Sequence, residues 1–185
     1  MHYRRTGVAG ATYFFTVNLA ERNRTLLTEH ADDLRAVIRA TKQPHPFHID
    51  ARVILPDHLH ALWTLPEGDA DYPVRWALIK AGFSRHIAGT ERRTISRIGK
   101  GERGIWQRRY WEHMIRDGRD HARHVDYIHS PLLCIHAHRN PVKHGYTQRA
   151  ADWPYSSIHR YIVVGTLTRD WGAGEAGESG QFGEF

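Results

Sequence analysis

The sequence predicts an α+β fold, with helices packed on an antiparallel sheet. Aromatic and β-branched runs at 13–19, 48–55 and 59–65 read as strands, and stretches of helical periodicity separate them. The resulting order of strand, helix, hairpin, helix, then further strand and helix is that of a layered α+β domain.

Tyr13-Phe14-Phe15-Thr16-Val17-Asn18-Leu19 has the composition of a central strand and is the expected first one. From Asp32 to Thr41, the apolar residues Leu34, Val37, Ile38 and Ala40 keep near-helical spacing, and Gln43-Pro44-His45-Pro46 ends the segment. Residues 48–55 and 59–65 flank Pro56-Asp57-His58, a tight-turn composition, and so form a hairpin. A second helix fits Val74 to Ile87. The glycine-punctuated stretch from Gly89 to Gly104 holds Arg92, Arg93, Arg97, Lys100 and Arg103 and reads as a mobile basic loop. A third helical segment starts near Asp117. Beyond Trp171 the chain is rich in glycine and glutamate, so the expected organisation is one domain over 1–171 and a flexible tail over 172–185.

The 185 residues suffice for one sizeable core. Lys and Arg number 26 against 20 Asp and Glu, a formal net charge of +6 before any of the 15 histidines is protonated. This excess favours a polyanionic partner, nucleic acid or an anionic membrane surface. The single cysteine, Cys134, excludes an internal disulfide framework and a multi-cysteine zinc site, so metal chemistry must use histidine and oxygen ligands. No apolar run approaches the roughly 20 residues of a membrane helix, and the N-terminal residues lack a signal-peptide hydrophobic region. The expectation is a soluble cytoplasmic protein, a monomer or weak dimer.

Three stretches could carry chemistry. In Leu55-Pro56-Asp57-His58-Leu59-His60, strand geometry puts both imidazoles on one face, where they are either two polar residues of that face or two ligands of one ion. In Arg116 to His129, a helical projection groups Ala122, Val125 and Ile128 on one arc and Arg116, Asp120, Arg123 and Tyr127 on another, so Tyr127 is expected to point away from the core. A phenol has a pKa of about 10, so attack by tyrosine on a phosphodiester needs a nearby cation. In Trp106-Gln107-Arg108-Arg109-Tyr110-Trp111-Glu112-His113, aromatics alternate with arginines, which suits either base stacking or a core strand.

Taken in order, Tyr13 to Asn18, Leu55 to His60, Trp106 to His113, His124 to His129, Asn140-Pro141-Val142-Lys143-His144-Gly145 and Asp152-Trp153-Pro154-Tyr155-Ser156-Ser157 resemble the REP-associated tyrosine transposases, within the HUH single-stranded DNA transposases. The likeness runs from about Tyr3 to Trp171. It implies a ferredoxin-like or RRM-like sheet with helices on one face, and cleavage and rejoining of single-stranded DNA hairpins at REP sequences through a 5'-phosphotyrosine. It also implies a divalent metal, Mg2+ or Mn2+. By this likeness His58, His60 and Asn140 hold the metal, Tyr127 is the nucleophile with Tyr110 as rival, and Arg4, Arg5, Arg108, Arg109, Arg116 and Arg123 contact DNA.

One departure stands out. Relatives carry an asparagine four residues after the nucleophile. Here position 131 is proline, and Asn140 arrives nine residues late, after an imperfect duplication in which Cys134-Ile135-His136-Ala137 echoes Tyr127-Ile128-His129-Ser130. Either Asn140 returns to the metal, or His129, His136 or His138 replaces it, or the chain is a catalytically impaired hairpin-DNA-binding protein.

Overall fold

Tyr13, Phe14, Phe15, Thr16 and Val17 are all buried, as a strand covered on both faces requires. They belong to β1 (Thr12–Asn18), the central strand of the computed structural model, which describes residues 7–89, 91–129, 141–142 and 144–171. β1 lies between β3 (His58–Thr64) and β4 (Trp111–Met114), and β2 (His48–Ile54) lies outside β3. All three pairings are antiparallel. Helices α1 (Leu26–Glu29) and α2 (Ala31–Lys42) link β1 to β2, and α3 (Tyr72–His86) and α4 (Ile95–Ile98) link β3 to β4. This is the strand order and βαββαβ succession of a ferredoxin-like sheet. Two further helices, α5 (Gly118–His129) and α6 (Ile158–Val163), follow.

The period of two along each strand sorts side chains into two cores. Tyr13, Phe15 and Val17 join Leu59, Ala61 and Trp63 against Leu34 and Ile38 of α2 and Trp76, Ile79 and Phe83 of α3. Trp63 and Trp76 stack there with centroids 4.1 Å apart. On the opposite face Phe14, Ala51, Val53, Leu55 and Leu62 meet Ile128 of α5. The expectation of helices on one face therefore describes α2 and α3, while α5 covers the other.

At the α2–α3 contact a Cβ at Gly82 would lie 2.6 Å from Val37 Cγ1. Valine is stiff at this branch, so the clash is not relieved by a rotamer change. Gly82→Ala is expected to destabilise the protein by about 1–2 kcal/mol, because overpacking outweighs the helix-propensity gain of up to about 1 kcal/mol. A urea melt that shifts upward instead would show that the helices separate freely.

The basic loop is more ordered than its composition suggests. Arg103 pairs with Glu91 and donates to the carbonyls of Ser84 (2.9 Å) and Ile87 (3.0 Å), while Arg97 donates to those of Arg103 (3.1 Å) and Trp106 (3.0 Å). These two cations brace the loop from within. The edge of β2 is also closed: Ile54 N–H donates to Tyr155 O and Ser157 N–H to Arg52 O, both at 2.9 Å. An edge strand is thereby protected from pairing with another chain. The expected tail over 172–185 lies outside the described residues.

Candidate active site

Alternation along β3 puts His58 and His60 on the face covered by α5, and the register sets their neighbours. Thr16 lies opposite His60, and Asn18 lies opposite His58. Thr16 Oγ1 and His60 Nδ1 are 2.9 Å apart, and His58 Nδ1 donates to Asp57 Oδ1 at 2.6 Å. With both Nδ1 atoms engaged, Nε2 is the nitrogen each ring would offer to a metal, and the outer hydrogen bond fixes its orientation. The rings are buried, 5.0 Å apart and nearly perpendicular.

Burial alone would raise the Asp57 carboxyl pKa. Hydrogen bonds and charge from His58 and Arg22 outweigh it and hold Asp57 well below the usual carboxylate range. The site therefore carries a fixed negative charge behind His58. Asn18 Oδ1 is a buried acceptor with no hydrogen-bond donor among the described residues. Two imidazoles, an amide oxygen opposite one of them and a supporting carboxylate fit a divalent cation, and the nitrogen content suits Mn2+ better than Mg2+.

α5 begins at a capping aspartate, since Asp117 Oδ1 accepts from the Asp120 N–H at 2.8 Å. Its inward side carries His124, Tyr127 and Ile128, whereas Ala122 is exposed. Tyr127 therefore points toward the sheet, not away from it as the projection suggested. The sheet face beneath is lined by Phe14 and His60, so the matching helix side adds His124 and Tyr127 to Ile128 and Val125; sorting by aliphatic character finds the last two, misses the first two and wrongly includes the exposed Ala122. The Tyr127 ring stands edge-on to Phe14 at 5.3 Å and to His60 at 5.1 Å. Tyr110, the rival, packs in the other core, 6.0 Å from both Phe15 and Trp76, with Lys80 Nζ 5.0 Å over its ring. The sheet separates it from the histidines.

Asn140, Arg4 and Arg5 lie outside the described residues, as do Pro131, His136 and His138. Part of the Asn140 to Gly145 motif nevertheless reaches the site: the His144 ring is 6.1 Å from His58 and stacks on Tyr146. His129 is committed elsewhere. Its Nε2 is 2.8 Å from Ser157 Oγ and its ring 4.7 Å from Tyr161.

No family model matches the chain. A REP-associated tyrosine transposase of Escherichia coli K12 is 43% identical over 169 residues, covering 91% of this chain and 89% of the relative. The chain belongs to the REP-associated tyrosine transposases. A Haemophilus influenzae relative named for the same family is 42% identical over 172 residues, 92% of this chain and 93% of its own length. A solved REP-associated tyrosine transposase, bound to a REP hairpin, is 42% identical with a TM-score of 0.76, covering 96% of this chain and 94% of that one.

In this REP-associated tyrosine transposase, Arg109, Arg116 and Arg123 are exposed, while Arg108 is exposed but paired with Glu102 at 2.7 Å. The two tryptophans of the aromatic stretch divide: Trp106 is buried against Phe83, and Trp111 is exposed, stacked on His113. Sequence reasoning missed two groupings. Arg35 and Arg39 of α2 converge with Arg52 of β2 and Arg160 of α6, and burial followed by those three positive charges lowers the Arg52 pKa. His113, Asp120 and His124 form the one group of three possible metal ligands found among the described residues. The first grouping needs tertiary structure, while the second had a signal in the Asp120–His124 spacing of one helical turn.

Proposed function

We propose that the protein cuts and rejoins single-stranded DNA at hairpins of the REP type, with Tyr127 as nucleophile and His58 and His60 as metal ligands. The observation that carries this reading is the Tyr127 ring 5.1 Å from His60, on the same sheet face, with Tyr110 on the other. The hairpin partner is drawn from the solved relative, which is bound to one.

Tyr127 Oη attacks phosphorus, the bond to the 3'-oxygen breaks, and the phenolic proton balances the released 3'-hydroxyl. The product is a 5'-phosphotyrosine, and attack by a 3'-hydroxyl reverses the step. Phe14 and His60 hold the phenol ring in place, while Thr16 and Asp57 orient the two imidazoles. His58 and His60 would hold a divalent cation, which when bound would neutralise charge at the scissile phosphate. Trp111 offers a stacking surface, and Arg109, Arg116 and Arg123 offer phosphate contacts, so affinity falls with salt.

The test is a labelled hairpin oligonucleotide incubated with the protein and Mn2+ or Mg2+, then resolved under denaturing conditions. A protein–DNA adduct dependent on metal is expected. Hairpin binding without an adduct under any metal would favour the second reading, a binding protein impaired in cleavage, for which the nine-residue displacement of Asn140 speaks. Thr16→Val, which removes the partner of His60 Nδ1 and keeps the shape, should weaken Mn2+ binding by about 10–100-fold. Calorimetry in the absence of DNA reads this directly, and an unchanged affinity would remove Thr16 from the site.

A further inference from the structure

We infer that His113, Asp120 and His124 form a second transition-metal site, distinct from the His58–His60 pair, that ties the tyrosine-bearing helix to β4. The three ligands come from two elements. His113 sits on β4 opposite Phe14, and Asp120 and His124 lie one turn apart on α5. His113 Nε2 is 2.8 Å from Asp120 Oδ2, and His124 Nδ1 is 3.2 Å from Asp120 Oδ1. All three ligand atoms lie within 4.8 Å of one another.

These spacings suit an ion. Donors about 2.1 Å from a metal and at right angles around it are about 3.0 Å apart. The two imidazoles stack at 4.9 Å and 16°, so both ring edges face the same carboxylate. Two nitrogens and one carboxylate oxygen with open positions form a set preferred by Zn2+, Co2+ and similar ions over Mg2+. His124 is almost fully buried and His113 partly so, and the exposed Trp111 ring stacked on His113 marks the solvent side.

Hydrogen bonds within the group already latch the helix. Asp120 Oδ2 also accepts from the Arg116 N–H at 3.0 Å, and His124 Nδ1 donates to the Asp120 carbonyl at 2.8 Å. Ligation through Nδ1 replaces this last bond with a stronger one. Phe14 separates the two sites, with its ring 5.6 Å from His60 and 4.8 Å from His124. The two sites are therefore distinct in their ligands, and Tyr127 lies one turn beyond His124 on the helix that the second site ties down.

The experiment is metal titration of the full chain with Zn2+ by calorimetry and with Co2+ by visible absorption. In H58A/H60A, which leaves the second site intact, one equivalent should still bind, and adding Asp120→Asn or His113→Gln should weaken that binding at least tenfold. Circular dichroism of the metal-free variants checks the fold. Should these variants fail to fold, paramagnetic shifts of the His113 and His124 ring protons on Co2+ addition to H58A/H60A decide. Loss of all binding in H58A/H60A, binding unaffected by Asp120→Asn and His113→Gln, or unshifted ring protons would each overturn the inference. None of these readouts involves DNA cleavage, so they stand or fall apart from the role proposed for Tyr127.

Discussion

Tyr127→Phe is expected to abolish the covalent protein–DNA adduct and reduce cleavage by on the order of 10³-fold or more, because it removes the attacking oxygen. The substitution keeps the ring. Its edge-on contacts with Phe14 and His60 therefore persist, and stability and hairpin affinity should change little. Tyr110→Phe is the matched control, since that ring lies in the α2–α3 core with Phe15 and Trp76. It should leave adduct formation within a factor of a few of the parent. A denaturing gel of labelled hairpin with Mn2+ separates the outcomes. An adduct that survives Tyr127→Phe, or disappears in Tyr110→Phe alone, would assign the nucleophile elsewhere.

The strands were legible because a period of two is a local signal. Tyr13 to Leu19 and the hairpin around Pro56-Asp57 needed no tertiary information, and the shared face of His58 and His60 follows from the same period. The orientation of α5 was legible only in part, since Val125 and Ile128 face inward as their aliphatic character predicts while Tyr127 does so against the prediction. Its inward residues are His124, Tyr127 and Ile128, and a projection sorted by aliphatic character places Ala122 inside although it is exposed. Such a helix faces inward by aromatic and imidazole contacts, and those can be identified only once Phe14 and His60 are known to lie beneath it. Charge was similarly ambiguous: Arg97 and Arg103 look like their exposed neighbours in the loop, yet they hold backbone carbonyls. The coupling of His60 to Thr16 depends on a strand register joining residues 44 positions apart, which composition cannot supply.

That same dependence on tertiary partners makes His129 the source of a large pH effect. His129 ends α5, two residues beyond Tyr127, and its Nε2 meets Ser157 of the segment that closes the β2 edge. Burial, then the nearby charges of Arg160 and His159, push its pKa down to about 3. An unfolded histidine has a pKa of about 6.5. Between these values the unfolded chain binds the extra proton, so stability rises with pH through this window. The contribution is fully present above the unfolded pKa and is lost as pH falls toward the folded one. Between pH 7 and pH 4 the loss is on the order of 3 kcal/mol. His129→Gln keeps a polar group within reach of Ser157 and cannot titrate, so urea melts at pH 7, 5.5 and 4 should show a much flatter acid arm than in the parent. Parallel arms would mean that His129 is already protonated in the folded protein. Because Ser157 also accepts from Arg52 N–H at 2.8 Å, acid should loosen the C-terminal segment and the end of the tyrosine helix together. Adduct yield should then fall below pH 5.5 in the parent before it does in His129→Gln.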